Sequence, residues 1–203
     1  MTTVTQSISN FVITTDYNDL PDWCIHEAKR TLLNMLAISL SASEAHGAKI
    51  LIEWAGHEEA LEKSAIIGTG LRTSPSNAAL VNGFLCHLQD YDDTHYPTIL
   101  HPPAPVWPAV FAASEDQNAT GLQSLGSFVL GAEIACRLAM SVHPWHYDMG
   151  WHITGTTGVF GAVIGVGKIL NLDNTTLNMA IGQAGTYASG IREVFGSHTK
   201  PVS

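Results

Sequence analysis

Positive charge is scarce in this sequence. Its 203 residues carry 9 Lys+Arg against 18 Asp+Glu, a formal charge of -9. Binding to a phosphate backbone or to an anionic membrane surface calls for a basic face, so neither nucleic acid nor membrane is an expected partner. Cysteine is also scarce. Cys24, Cys86 and Cys136 lie far apart, with no CxxC or Cys-His ligand spacing. They read as reduced core thiols of an intracellular, cytoplasmic protein. The first residues lack a basic n-region, a long apolar run and the arginines of a transit peptide, so no targeting signal is read there. The most apolar stretch, Phe128 to Met140, is interrupted by Glu133 and Arg137 and is not read as a membrane span. With 45% hydrophobic and 13% charged residues, the composition is that of a globular domain with a large core.

Strand signals are few as well, and the chain reads as all-α, with about seven or eight helices and no fixed-period repeat. Val4 to Ile13 is a short amphipathic helix. A long helix starts at Pro21 and ends between Ser39 and Ser43, with Ile25, Ala28, Leu32, Leu36 and Leu40 at helical spacing. Gly47 to Gly56 follows. Ser64 to Gly68 is the one strand-like run. Its trailing GxG lacks the third glycine and the downstream acid of a dinucleotide site. Ser74-Pro75 caps and opens a helix whose apolar face includes Leu80, Phe84, Leu88 and Tyr91. Pro105 to Ser114 and Gly121 to Val142 are helical, and Trp145 to Trp151 is an aromatic loop. The helix from Thr156 to Leu170 carries Gly158, Gly161 and Gly165 on one side, a pattern for close helix packing. Asp173 caps a last helix through Thr186, and Ser189 to Ser203 is a polar ending.

Proton-handling groups concentrate between Asn82 and Pro105, which holds His87, Asp90, Asp92, Asp93, Thr94, His95 and His101. If the Ser74 helix runs past Leu88, then His87, Asp90 and Thr94 share one face, and Asp92 and Asp93 point elsewhere. His101 enters from a loop stiffened by Pro102, Pro103 and Pro105. Such a cluster suits acid/base work, because a carboxylate fixes a histidine tautomer and the histidine moves the proton. Three other readings stay open at this point. The acids could cap helices beside satisfied histidines. His and Asp could ligate a divalent ion, although no HxxxH or HExxH pairing sets the geometry. The Asp90 to Asp93 tetrad also fits, literally, the DxDD acid of terpene-cyclising enzymes, whose aromatic-lined sites sit poorly with 8% aromatics. Two further constellations follow. His152 precedes a glycine- and threonine-rich helix start whose N–H groups favour an anion. Arg192 and Lys200 lie on a glycine-bearing loop.

Together these stretches resemble the MmgE/PrpD family, which includes 2-methylcitrate dehydratase, cis-aconitate decarboxylase and iminodisuccinate epimerase. The resemblance rests on Asn82-Gly83, on Asp90 to His95 (D-[YF]-D-D-T-H), and on His101-Pro102 opening a proline loop. It continues through Trp151 to Ala162 and Gly190 to Lys200. The resemblance implies an all-α helical domain over residues 1–203, usually homodimeric in the family, with no iron–sulfur cluster, cofactor or obligatory metal. It places active-site residues at Asp90, Thr94, His101, His152 and Lys200, with His95, Thr156 and Arg192 as candidates for holding substrate. The expected substrate is a small di- or tricarboxylate, losing water or CO2 or being epimerised by His-based acid/base catalysis. Family members continue past the Thr-Lys loop into a lid domain, so a chain ending at Ser203 is expected to be a truncated member. It would be weak or inactive as a lyase, or else a dimerising interaction protein.

Overall fold

The computed structural model describes residues 2–197 and 199–202; His198, inside the Arg192 to Lys200 loop, lies outside the described residues. Helices dominate it, and four of the nine described α-helices begin at a side-chain cap. α1 spans Val4–Thr14, and the Thr3 hydroxyl and the Gln6 amide satisfy each other's backbone N–H groups at its start. α2, Asp22–Ala42, follows Pro21. α3, His46–His57, leads to a two-residue antiparallel ribbon, β1 Ser64–Ala65 against β2 Arg72–Thr73. α4, Pro75–His87, starts at Ser74, whose hydroxyl accepts from Asn77 N. α5 spans Pro103–Gln117 and ends at Asn118 in the left-handed conformation. α6, Gly121–Val142, opens with a second reciprocal cap, Thr120 with Gln123. The short α7, Trp145–Asp148, and α8, Ile153–Ile169, come next. Asp173 caps α9, Asn174–Tyr187.

The centre of the molecule is the crossing of α6 and α8, covered by α5. Glycine makes the approach possible. A methyl on Gly131 would lie 2.5 Å from Gly161 O, and one on Gly161 would lie 2.8 Å from Gly131 O. The Gly158 and Gly165 positions are filled in the same way by Pro105 and Val110 of α5. On one side, Trp107 stacks on Phe128 with ring centroids 4.1 Å apart, and Met35, Cys86 and Val106 join the same cluster. On the other, Leu130, Ile134 and Ile164 pack with Val12, Leu177 and Ile181, which brings in α1 and α9. Of the described helices, α6 alone is long and apolar enough to span a membrane. Here it is a core helix, with Leu130, Ala135 and Ala139 fully buried. The described cysteines are all free thiols.

The structure departs from the sequence reading where backbone geometry overrides side-chain periodicity. The strand-like run yields only Ser64–Ala65. α8 begins three residues before Thr156, directly after His152. Trp145 to Asp148 is a helical turn rather than loop. Most consequentially, α4 stops at His87. Asp90 adopts a left-handed φ of 59°, which asparagine and aspartate tolerate better than most residues, and donates its N–H to His87 O at 3.3 Å. The chain therefore turns back under the helix instead of extending it, and Tyr91 is 75% exposed rather than packed.

Candidate active site

The turn after α4 changes which carboxylate meets the histidines. Asp92, 4% exposed, comes to lie beneath His87, the last residue of α4. His87 Nδ1 is 3.0 Å from Asp92 Oδ2, and His101 Nδ1 is 3.4 Å from the same oxygen and 3.2 Å from the Asp92 carbonyl. Every one of these partners accepts, so both rings carry their proton on Nδ1 when neutral. One buried carboxylate thus fixes the tautomer of two imidazoles. The helical-face reading pairs His87 with Asp90 and sends Asp92 away; the structure shows the reverse, because the helix ends before that face can form.

His101 is held from behind by α8, its backbone N–H donating to Thr154 Oγ1 at 3.1 Å. A bridge between His95 and Leu100 closes the loop that delivers it. His152 stands at the start of α8, and its backbone N–H donates to Gly190 O. Its ring lies parallel to that of His87, centroids 6.0 Å apart, while His87 and His101 meet edge-on at 5.1 Å. Phe195, from the C-terminal loop, packs edge-on against His152 at 5.0 Å. The same loop delivers Lys200, whose ammonium pairs with Asp90 Oδ1 and lies 5.0 Å from the centre of the Phe195 ring. Asp90 Oδ1 is in turn 3.9 Å from His101 Nε2, and Thr94 Oγ1 is 3.4 Å from His101 Nδ1. Asp90, Thr94, His101, His152 and Lys200 therefore gather around one cluster.

Burial and charge divide the three polar centres. Burial alone would raise the Asp92 carboxyl, but hydrogen bonds from His101 and His87 and the charge on both rings outweigh it and hold it at about 2. Burial would lower His101; the hydrogen bond and charge of Asp92 more than offset this and raise it above 6.5. His152 goes the other way. Burial, followed by the positive neighbours His87, Lys200 and His101, pushes it down to about 4. The two imidazoles are thus shifted in opposite directions, His101 toward its protonated form and His152 toward its neutral one.

The remaining substrate-binding expectations have other partners. His95 Nδ1 is 2.8 Å from Thr98 Oγ1. Thr156 Oγ1 is 2.7 Å from His146 Nε2 and lines a separate apolar cavity with Trp151 and Phe160. Arg192 donates to Tyr147 O at 2.7 Å, and its guanidinium lies 4.1 Å from the centre of the Tyr147 ring. Asp92 was named in the sequence but directed away from the cluster, and Thr154 and Phe195 were not singled out. Thr154 could have been, since it is the threonine next to the helix start that holds His152.

Two cavities flank the cluster, and His87 lines both. One, of about 260 Å³, is bounded by His87, Asp90 and Lys200; the other, of about 300 Å³, by His87, Pro105 and Thr154. A larger cavity of about 660 Å³ lies across the molecule between α2, α5 and α6, with a largely apolar lining and none of these groups. Four residues, His87, Asp90, Asp92 and His101, offer ligand atoms within 4.8 Å of one another, a donor set able to hold a divalent ion. The Lys200 ammonium already sits on Asp90, however, and both Nδ1 protons point at Asp92.

The sequence that builds this arrangement matches a known family. The MmgE/PrpD N-terminal domain matches residues 6–203. The chain belongs to the MmgE/PrpD family. Among curated relatives it is 28% identical to a cis-aconitate decarboxylase-like protein of Aspergillus oryzae, over 93% of this chain and 41% of that protein. It is 27% identical to cis-aconitate decarboxylase of Mus musculus and 26% to that of Aspergillus terreus, in each case over 98% of this chain and 42% of the relative. The chain thus spans about two fifths of the length of these MmgE/PrpD relatives.

Proposed function

We propose that this MmgE/PrpD chain carries the proton-transfer part of a lyase site for a small di- or tricarboxylate, and that the acid is cis-aconitate. The observation that supports the reading best is the shared Asp92 carboxylate, which orients His87 and His101 and favours the charged form of His101, while burial favours the neutral form of His152. The names of the relatives supply the choice of acid. In decarboxylation of cis-aconitate, the bond to one carboxylate breaks and CO2 leaves. The electron pair becomes a new carbon–carbon double bond, and the pair of the old double bond takes a proton at the carbon next to another carboxylate. His101, protonated, supplies that proton from Nε2. His152, neutral, accepts a proton where the reaction needs one. Lys200 faces a substrate carboxylate in exchange for Asp90, and Thr94 and Asp90 hold the His101 ring in place. Dehydration of a 2-methylcitrate-like acid or epimerisation would use the same pair of imidazoles.

The test is NMR of cis-aconitate, citrate and 2-methylcitrate in D2O with stoichiometric protein, so that slow chemistry is visible. Cis-aconitate should lose CO2 and gain one deuterium beside a carboxylate, and His101→Ala should abolish this. Loss of water from 2-methylcitrate with cis-aconitate untouched would replace decarboxylation by dehydration. No reaction and no binding of any acid would contradict the proposal.

A second reading concerns assembly. Leu33 and Leu40, 70% and 54% exposed and seven residues apart, lie on one face of α2, with Trp23 69% exposed near the start of that helix. We propose that this face contributes to a homodimer.

A further inference from the structure

His87 has no role in the reading above except as a neighbour. It is 3% exposed, and its Nδ1 is committed to Asp92. Its other nitrogen, Nε2, is buried and finds no hydrogen-bond partner among the described residues. Buried polar atoms are nearly always satisfied, and the exceptions call for an explanation such as a ligand. The position of the ring suggests one. It stands between the other two imidazoles, 5.1 Å from His101 and 6.0 Å from His152. It also lines both cavities beside the cluster, one of which is bounded by Asp90 and Lys200. Because Asp92 fixes the proton on Nδ1, Nε2 is an acceptor when the ring is neutral and a donor when it is charged.

We propose that His87 is a third substrate-contacting imidazole of this site, positioned by Asp92 through Nδ1 and, in its charged form, donating from Nε2 to a carboxylate group of the bound acid. The inference rests on the polycarboxylate reading and adds to it the group that receives one end of the acid. A polyanion entering the cleft between Lys200 and His87 meets a cation on one wall and, on the other, an imidazole already oriented by a carboxylate. A hydrogen bond there also satisfies an atom that burial otherwise leaves bare.

The experiment uses the 203-residue chain with tricarballylate, a saturated tricarboxylate that cannot be turned over. Side-chain nitrogen NMR of the histidines is recorded with and without it, and affinity is measured by calorimetry for wild type and His87→Asn. The asparagine can keep an N–H for Asp92 but has no atom in place of Nε2. A large shift of His87 Nε2 on binding, with affinity at least tenfold weaker in His87→Asn at an unchanged melting temperature, is the expected result. If tricarballylate shifts His101 and His152 but leaves His87 Nε2 unmoved, the His87 role is overturned and the polycarboxylate reading stands. If His87→Asn fails to fold, the wild-type Nε2 shift decides alone. If no ring responds and no heat is seen, both readings are overturned.

Discussion

At Asp92 two imidazoles share one carboxylate, and the charge state of the cluster follows from that sharing. Removing the charge while keeping the shape, with Asp92→Asn, should let the His101 ring lose its proton at lower pH, visible in its ring resonances. Truncation to alanine leaves two buried imidazoles without an acceptor and should cost about 3 kcal/mol of stability at neutral pH, measured by urea unfolding. The sign of the pH dependence is fixed by the direction of each shift. Asp92 lies at about 2 against an ordinary 3.8, so its contribution is full above 3.8 and is lost as pH falls toward 2. His101 is raised above 6.5, so its contribution is full below 6.5 and is lost as pH rises through the raised value. His152 lies at about 4 against 6.5; between those values the unfolded chain binds a proton that the fold refuses, so stability falls as pH falls from 6.5 to 4. His152→Gln should flatten that part of the stability profile. Equal slopes for wild type and variant would show that His152 is not held neutral. Of these residues, the sequence made His101 and His152 legible through their proline and glycine surroundings. It could not make Asp92 legible, because three aspartates within four residues look alike until the backbone selects one.

Helix starts were the most legible elements, because each rests on chemistry local to a few residues. Ser74, Asp173 and Pro21 mark α4, α9 and α2 as the structure has them. The glycine stripe of α8 was legible too, and its reason is now specific: Gly161 sits on the backbone of Gly131, with Ala135 and Val106 beside it. Gly161→Val should cost about 1–3 kcal/mol by overpacking, with helical content retained in circular dichroism. A neutral substitution would mean that α6 and α8 do not touch there. Helix ends were less legible. Leu88 and Tyr91 continue the apolar spacing of α4 although the helix is already over, since a single left-handed residue can stop a helix that its side chains would allow to continue. That helix end is why the helical-face reading paired His87 with Asp90, where the structure pairs it with Asp92.

For the whole molecule, the cluster exists because four separated pieces of chain meet: the end of α4, the loop before α5, the start of α8 and the turn carrying Lys200. None of them holds both His101 and His152, which is why the cluster could be read from the sequence only through all of them together. Because Lys200 occupies the cation position on Asp90, chelation with EDTA should leave both melting temperature and acid binding unchanged, and a loss restored by zinc would contradict this. Size-exclusion with light scattering should give a dimer that Leu33→Lys weakens, and a monomeric wild type would remove the α2 face from the account. The central claim is that the fold separates two histidines into an acid and a base. The most direct measurement is a pH titration of the histidine ring nitrogens by NMR in the ligand-free chain. The account predicts that His101 stays charged above pH 6.5 while His152 stays neutral down to about pH 4. Both rings titrating together near 6.5 would contradict it.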